Sequence, residues 1–102
     1  MYTPITLDKV RNFNFDYEHL SMAEESLDMS VDDIINKAAK GKLRLKELFT
    51  LAWAGLIHED NQLTVKLVMK LVNDYSDIET VSSIMGTAID KSLRKAVHDK
   101  KN

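Results

Sequence analysis

The stretch that decides the fold is Leu45–Val72, LKELFTLAWAGLIHEDNQLTVKLVMKLV. From Leu48 to Ile57 only Thr50 and Gly55 interrupt the apolar residues, so a helix here has almost no polar face. Such a helix is stable in a soluble domain only when other elements surround it. The stretch therefore predicts a central helix over about Leu43 to His58, with Phe49 and Trp53 as its largest contributions to the core. Glu59, Asp60 and Asn61 cannot continue the apolar pattern and end the helix in a turn. Thr64 then has N-cap character, with Leu63 before it and Val68 four residues after it at the spacing of a hydrophobic staple. A second helix follows to about Asn73 and gathers Leu67, Val68, Leu71 and Val72 on one face.

Toward the C-terminus, Ser76 and Glu79 have the spacing of a capping box. Ile78, Val81, Met85, Ala88, Ile89, Ala96 and Val97 then hold a helical stripe, closed by Lys91, Arg94 and Lys95 near its end. Toward the N-terminus, Gly41 reads as the left-handed terminator of a short helix that Ser30 opens and that ends at Ala39. That helix has Asp32 and Asp33 in its first turn and lysines in its last, as the helix dipole favours. Asp16 caps an earlier helix over Tyr17 to Leu27, with Phe15 and Leu20 in staple positions and Leu20, Ala23 and Leu27 on its inner face. Thr3–Leu7 and Val10–Phe15 alternate as two short strands around a turn at Asp8 and Lys9. The expected architecture is mainly α: a compact bundle of about five helices with a short N-terminal β-hairpin. Residues 1–102 make one domain, with a β element over 1–15, helices over 16–98 and a disordered tail over 99–102.

The 102 residues contain no cysteine, which excludes a disulfide framework and thiol chemistry. No apolar run approaches the ~20 residues of a membrane span, and no apolar segment follows a basic start at the N-terminus. A soluble, cytoplasmic protein is expected. The net charge of −2 hides an asymmetry: residues 1–36 carry eight acids and two bases, and residues 37–102 carry twelve bases and eight acids. The ends of the molecule should differ in sign. Lys37, Lys40, Lys42, Arg44 and Lys46 cluster around Gly41, and Lys91, Arg94, Lys95, Lys100 and Lys101 lie at the C-terminus. With a pI near 5.9 the chain lacks the basic excess of a nucleic-acid binder, and these clusters read as solvated helix faces.

Catalytic patterns are absent from the sequence. His58-Glu59-Asp60 offers an imidazole and two carboxylates, but contiguous residues at a helix end splay apart and no spaced second histidine completes a metal shell. His19 and His98 sit on polar flanks and read as solvent-facing. No enzyme activity and no cofactor are expected. A helix-turn-helix reader is the competing use of the central helix pair, but the second helix offers Lys66 and Lys70 among apolar residues rather than groove-reading Arg, Asn or Gln.

Phe13-Asn14-Phe15-Asp16-Tyr17-Glu18 leads into an acidic first helix; Leu48–Asp60 reads L-F-T-L-A-W-A-G-L-I-H-E-D; Leu63-Thr64 opens another amphipathic helix. In this order, over about residues 5–90, the chain resembles the tail assembly chaperones of long-tailed phages and prophages. It departs from the family at Val65-Lys66-Leu67, where acidic residues are more usual, and in its basic C-terminus. The resemblance implies a protein that binds the tape measure protein and keeps it soluble during tail morphogenesis. Such a protein offers an apolar groove to amphipathic helical segments of its client. Val65, Met69, Val72 and Met85, on the outer part of the last two helices, are the expected partner-binding residues. Methionine suits a surface that accommodates varied partners. The same residues would also serve a self-association contact, and a regulatory interaction protein unrelated to tails is the alternative reading.

Overall fold

A computed structural model describes the backbone of residues 2–101 and the side chains of residues 2–93. It has two strands, β1 (Thr3–Thr6) and β2 (Val10–Phe13), and five helices: α1 (Tyr17–Leu27), α2 (Val31–Ala39), α3 (Leu45–Leu56), α4 (Val65–Tyr75) and α5 (Ile78–Lys101). The mainly helical class with an N-terminal hairpin is as expected. Of the tail expected over 99–102, the backbone of 99–101 belongs to α5 and Asn102 lies outside the described residues; the side chains of Ala96, Val97 and His98 also lie outside them.

Helix starts follow the caps. Asp16, Ser30 and Thr64 each accept the backbone N–H of the third helical residue, from His19, Asp33 and Leu67 at 2.9–3.1 Å. Gly41 takes φ of 66°, the left-handed conformation expected of it. Two starts differ from the sequence reading. α5 is capped by Asp77, whose carboxylate accepts the Thr80 N–H at 2.8 Å, while Ser76 instead ends α4, its N–H donating to the Val72 carbonyl. α3 begins at Leu45 rather than Leu43: Glu47 reaches back to the Arg44 N–H at 2.9 Å, and this fixes the first turn there.

α3 is the element on which β2, α1 and α4 pack, and α5 lies against β1 and α3. Leu48, Phe49, Leu51, Ala52, Ala54, Gly55 and Leu56 are all buried, as its uninterrupted apolar sequence requires. Trp53 is only half-buried, against expectation. Its indole N–H donates to the Leu63 carbonyl at 2.9 Å, which pins the loop after α3. A wholly enclosed indole would have needed that acceptor inside the core. The largest wholly enclosed rings are instead Phe13 and Phe15, stacked on each other at 5.6 Å between centroids. On α4 the buried centre is Val68 and Val72, with Leu71 on its flank and Leu67 exposed; on α5 Val81, Met85, Ala88 and Ile89 are buried while Ile78 is exposed.

The hairpin pairs Thr3 with Phe13 and Ile5 with Arg11 across antiparallel strands. Arg11 shares the inward face with Phe13 and is 5% exposed, an outcome that alternation alone would have assigned to an apolar residue. Its charge is met by Asp8 in the hairpin turn, with Nε and Nη2 donating to the two carboxylate oxygens at 2.9 Å. That guanidinium lowers the Asp8 pKa.

Asp16 and Asp77 are also held below the usual aspartate value. For Asp16, desolvation opposes the shift, and the His19 backbone N–H and ring nitrogen outweigh it; for Asp77 the Thr80 backbone N–H is responsible. A carboxyl depressed in the folded state contributes stability that is complete above its unfolded pKa, about 4, and drains away as pH falls through the folded value. Chemical denaturation followed by circular dichroism should therefore show stability flat near neutrality and falling below about pH 4. Asp16→Asn keeps a good N-cap but loses the charge. It should be less stable at pH 7 and lose less on acidification; an unchanged acid slope would contradict the assignment.

Candidate partner-binding site

The H-E-D triplet that ends the α3 segment is a clasp on the hairpin. His58 Nε2 donates to the Asn12 carbonyl at 2.7 Å, and the Glu59 carboxylate accepts from the Asn12 backbone and side chain at 3.0 and 3.2 Å. Asp60 accepts the Gln62 N–H at 2.9 Å and shapes the turn. The three side chains thus diverge, as expected of neighbours at a helix end. His19, by contrast, is buried rather than solvent-facing. Its Nδ1 donates to Asp16 at 2.6 Å, and its ring meets His58 edge-on at 5.6 Å, while Tyr2 stacks on the other imidazole at 5.2 Å. The position is read as a polar flank in sequence because the ring neighbour that covers it, His58, comes from a distant part of the chain. Among the described residues, no group of three or more His, Asp or Glu is placed to hold a metal ion.

The connection between α3 and α4 covers residues 57–64, longer than the turn of about three or four residues in a helix-turn-helix. Lys70, one of the two cations on α4, is paired with Asp74 at 3.1 Å. No helix among the described residues is long and apolar enough to cross a membrane.

Two clefts with apolar linings flank α3. The larger, about 700 Å³, lies between the start of α3, the end of α4 and the start of α5, and its apolar lining is Leu45, Phe49, Met69, Val72 and Ile78. The smaller, about 230 Å³, lies between the turn after α2 and α5, over Leu43, Leu48, Leu51, Met85 and Ile89. The two meet at Ile78, which lines both. Leu45 and Ile78 are 58% and 44% exposed, so this apolar surface reaches solvent.

The four residues expected to bind a partner divide. Met69 is half-buried and lines the larger cleft; Val72 lines it too but is a core residue, and Met85 is the buried floor of the smaller one. Val65 is half-buried, packed against the core, and lines neither cleft. Val72 and Met85, as buried residues, expose little apolar area of their own. The surface comes instead from Leu45 and Ile78, first-turn residues whose helical stripes run past the end of the core. Their only sequence signal is an apolar residue immediately after a cap.

Charge is segregated as the sequence predicts. Glu24, Glu25, Asp28 and Asp33 gather around a shallow cleft where α1 meets α2, and exposed Lys40, Lys42, Arg44 and Lys46 crowd the turn at the other end of α2. Compared with known proteins, the chain matches no family model, no curated protein and no solved structure.

Proposed function

We propose that this chain is a tail assembly chaperone that binds the tape measure protein of a long-tailed phage or prophage and keeps it soluble until the tail tube forms. The observation that carries the reading is the apolar cleft between α3, α4 and α5, open to solvent at Leu45 and Ile78. A groove of this kind accepts the apolar face of an amphipathic helix, and a tape measure protein is a long, largely helical client. The run L-F-T-L-A-W-A-G-L-I-H-E-D, which carries the family resemblance, supports the same reading. Its α3 part, Leu48–Leu56, builds the core helix that frames the cleft, and its H-E-D end clasps the hairpin. The activity is binding, without turnover or cofactor, in the host cytoplasm.

The test is co-expression with the tape measure protein of the phage or prophage that carries the gene. The client should copurify with the wild-type chain and be lost with Leu45→Asp and with Met69→Asp. Leu45→Asp lies at an exposed position and should keep the wild-type thermal unfolding curve. Equal client recovery with both variants would refute the assignment of this cleft.

A further inference from the structure

Gly86 lies in the interior of α5, exposed to solvent, on the wall of the smaller cleft. A Cβ built there would meet nothing within 4 Å, and its φ is not in the left-handed region. Neither packing nor backbone conformation therefore requires glycine, which costs a helix interior about 1 kcal/mol relative to alanine. Its missing side chain leaves one wall of the groove low.

One side of the same groove is basic. On the side of the Gly41 turn stand Lys40, Lys42 and Arg44, all exposed, and none is in an ion pair among the described residues. Lys37, from the same cluster, is already engaged by Glu47 at 3.9 Å.

We propose that the groove past Gly86 is the docking site of an amphipathic α-helix whose apolar stripe is bordered by aspartates or glutamates on the side facing the Gly41 turn. The proposal rests on the chaperone reading and names the chemistry of the client segment. The apolar floor takes the stripe, the absent side chain at position 86 admits the helix backbone, and the unpaired cations select the acidic border. A second copy of the chain does not supply this segment: its acidic helix α1 already buries Leu20 and Ala23 in its own core.

The experiment titrates the full chain, by fluorescence anisotropy, with two synthetic helical peptides that share a leucine stripe. One is bordered on one side by glutamates and the other by lysines. The glutamate peptide should bind about tenfold more tightly, the sum of a few exposed charge pairs, and the gap should shrink in high salt. Reversing the rim with Lys40→Glu, Lys42→Glu and Arg44→Glu together should invert the preference. Gly86→Leu should weaken both peptides while leaving the thermal unfolding midpoint at or above wild type, and Gly86→Ala should raise the midpoint and preserve binding. Peptides that bind alike or not at all, a Gly86→Leu variant that binds as wild type, or a groove closed by self-association at the working concentration would each overturn the proposal. Loss of the charge preference with client recovery still sensitive to Leu45→Asp would remove this groove and leave the chaperone reading standing.

Discussion

Gly55→Ala should destabilise the protein by about 2–3 kcal/mol, near the upper end of the cost of overpacking a core, even though alanine is the better helix former. A Cβ at this position would lie 2.5 Å from Phe15 Cζ and 2.8 Å from both Phe13 Cδ1 and Phe15 Cε2. Those rings are each 1% exposed, so neither has space to retreat. The Gly55 carbonyl also accepts the Asn14 N–H at 2.8 Å, and pushing the segment outward would stretch that bond together with the His58 and Glu59 clasp on Asn12. For a domain of this size the loss corresponds to a fall in Tm of roughly 10–20 °C. Phe15→Leu should be destabilising alone yet recover part of the Gly55→Ala loss in the double variant, a coupling expected only of groups in contact. A Gly55→Ala protein as stable as wild type would mean that the strand does not cross α3 at this point.

Phe15→Ala should cost about 3–5 kcal/mol, the range for truncating a buried aromatic, whereas Trp53→Phe should cost much less. The comparison separates two pictures of the core. If the largest rings of α3 were its centre, as its sequence invites, tryptophan would be the more sensitive position. In the structure Trp53 is half-buried and its indole N–H ties down the Leu63 carbonyl, while Phe13 and Phe15 fill the space beside Gly55. Trp53→Phe therefore removes one hydrogen bond and little buried area. Urea denaturation of both variants checks the order, and a Trp53→Phe loss equal to that of Phe15→Ala would reverse it.

Why the first helix begins at Tyr17 and the fourth at Val65 could be read directly, because a cap and the helix it opens are separated by only a few residues. Asp16, Ser30 and Thr64 act within their own turn, where no distant element competes. The cap of α5 was misplaced by one residue: Ser76 ends the preceding helix, and the next residue, Asp77, supplies the capping carboxylate. The lining of the larger cleft was half legible. Met69 sits on the cleft, but Val72 and Met85 proved to be core and Val65 lies away from it, since periodicity marks an apolar face without saying how much of it a neighbour covers.

By itself, then, the sequence determined the order of elements, most of their starts, the buried role of α3 and the opposite charge of the two ends of α2, all of which follow from local spacing and composition. Only the tertiary structure decided that Phe13 and Phe15 are the enclosed rings, that His58 and Glu59 hold the hairpin across forty-six and forty-seven residues, and that Arg11 and His19 are buried against aspartates. It also decided that Leu45 and Ile78 reach solvent at a shared cleft. Those outcomes depend on which surfaces meet once the chain closes on itself, and burial, unlike a helix cap, is a property of the neighbours rather than of the residue.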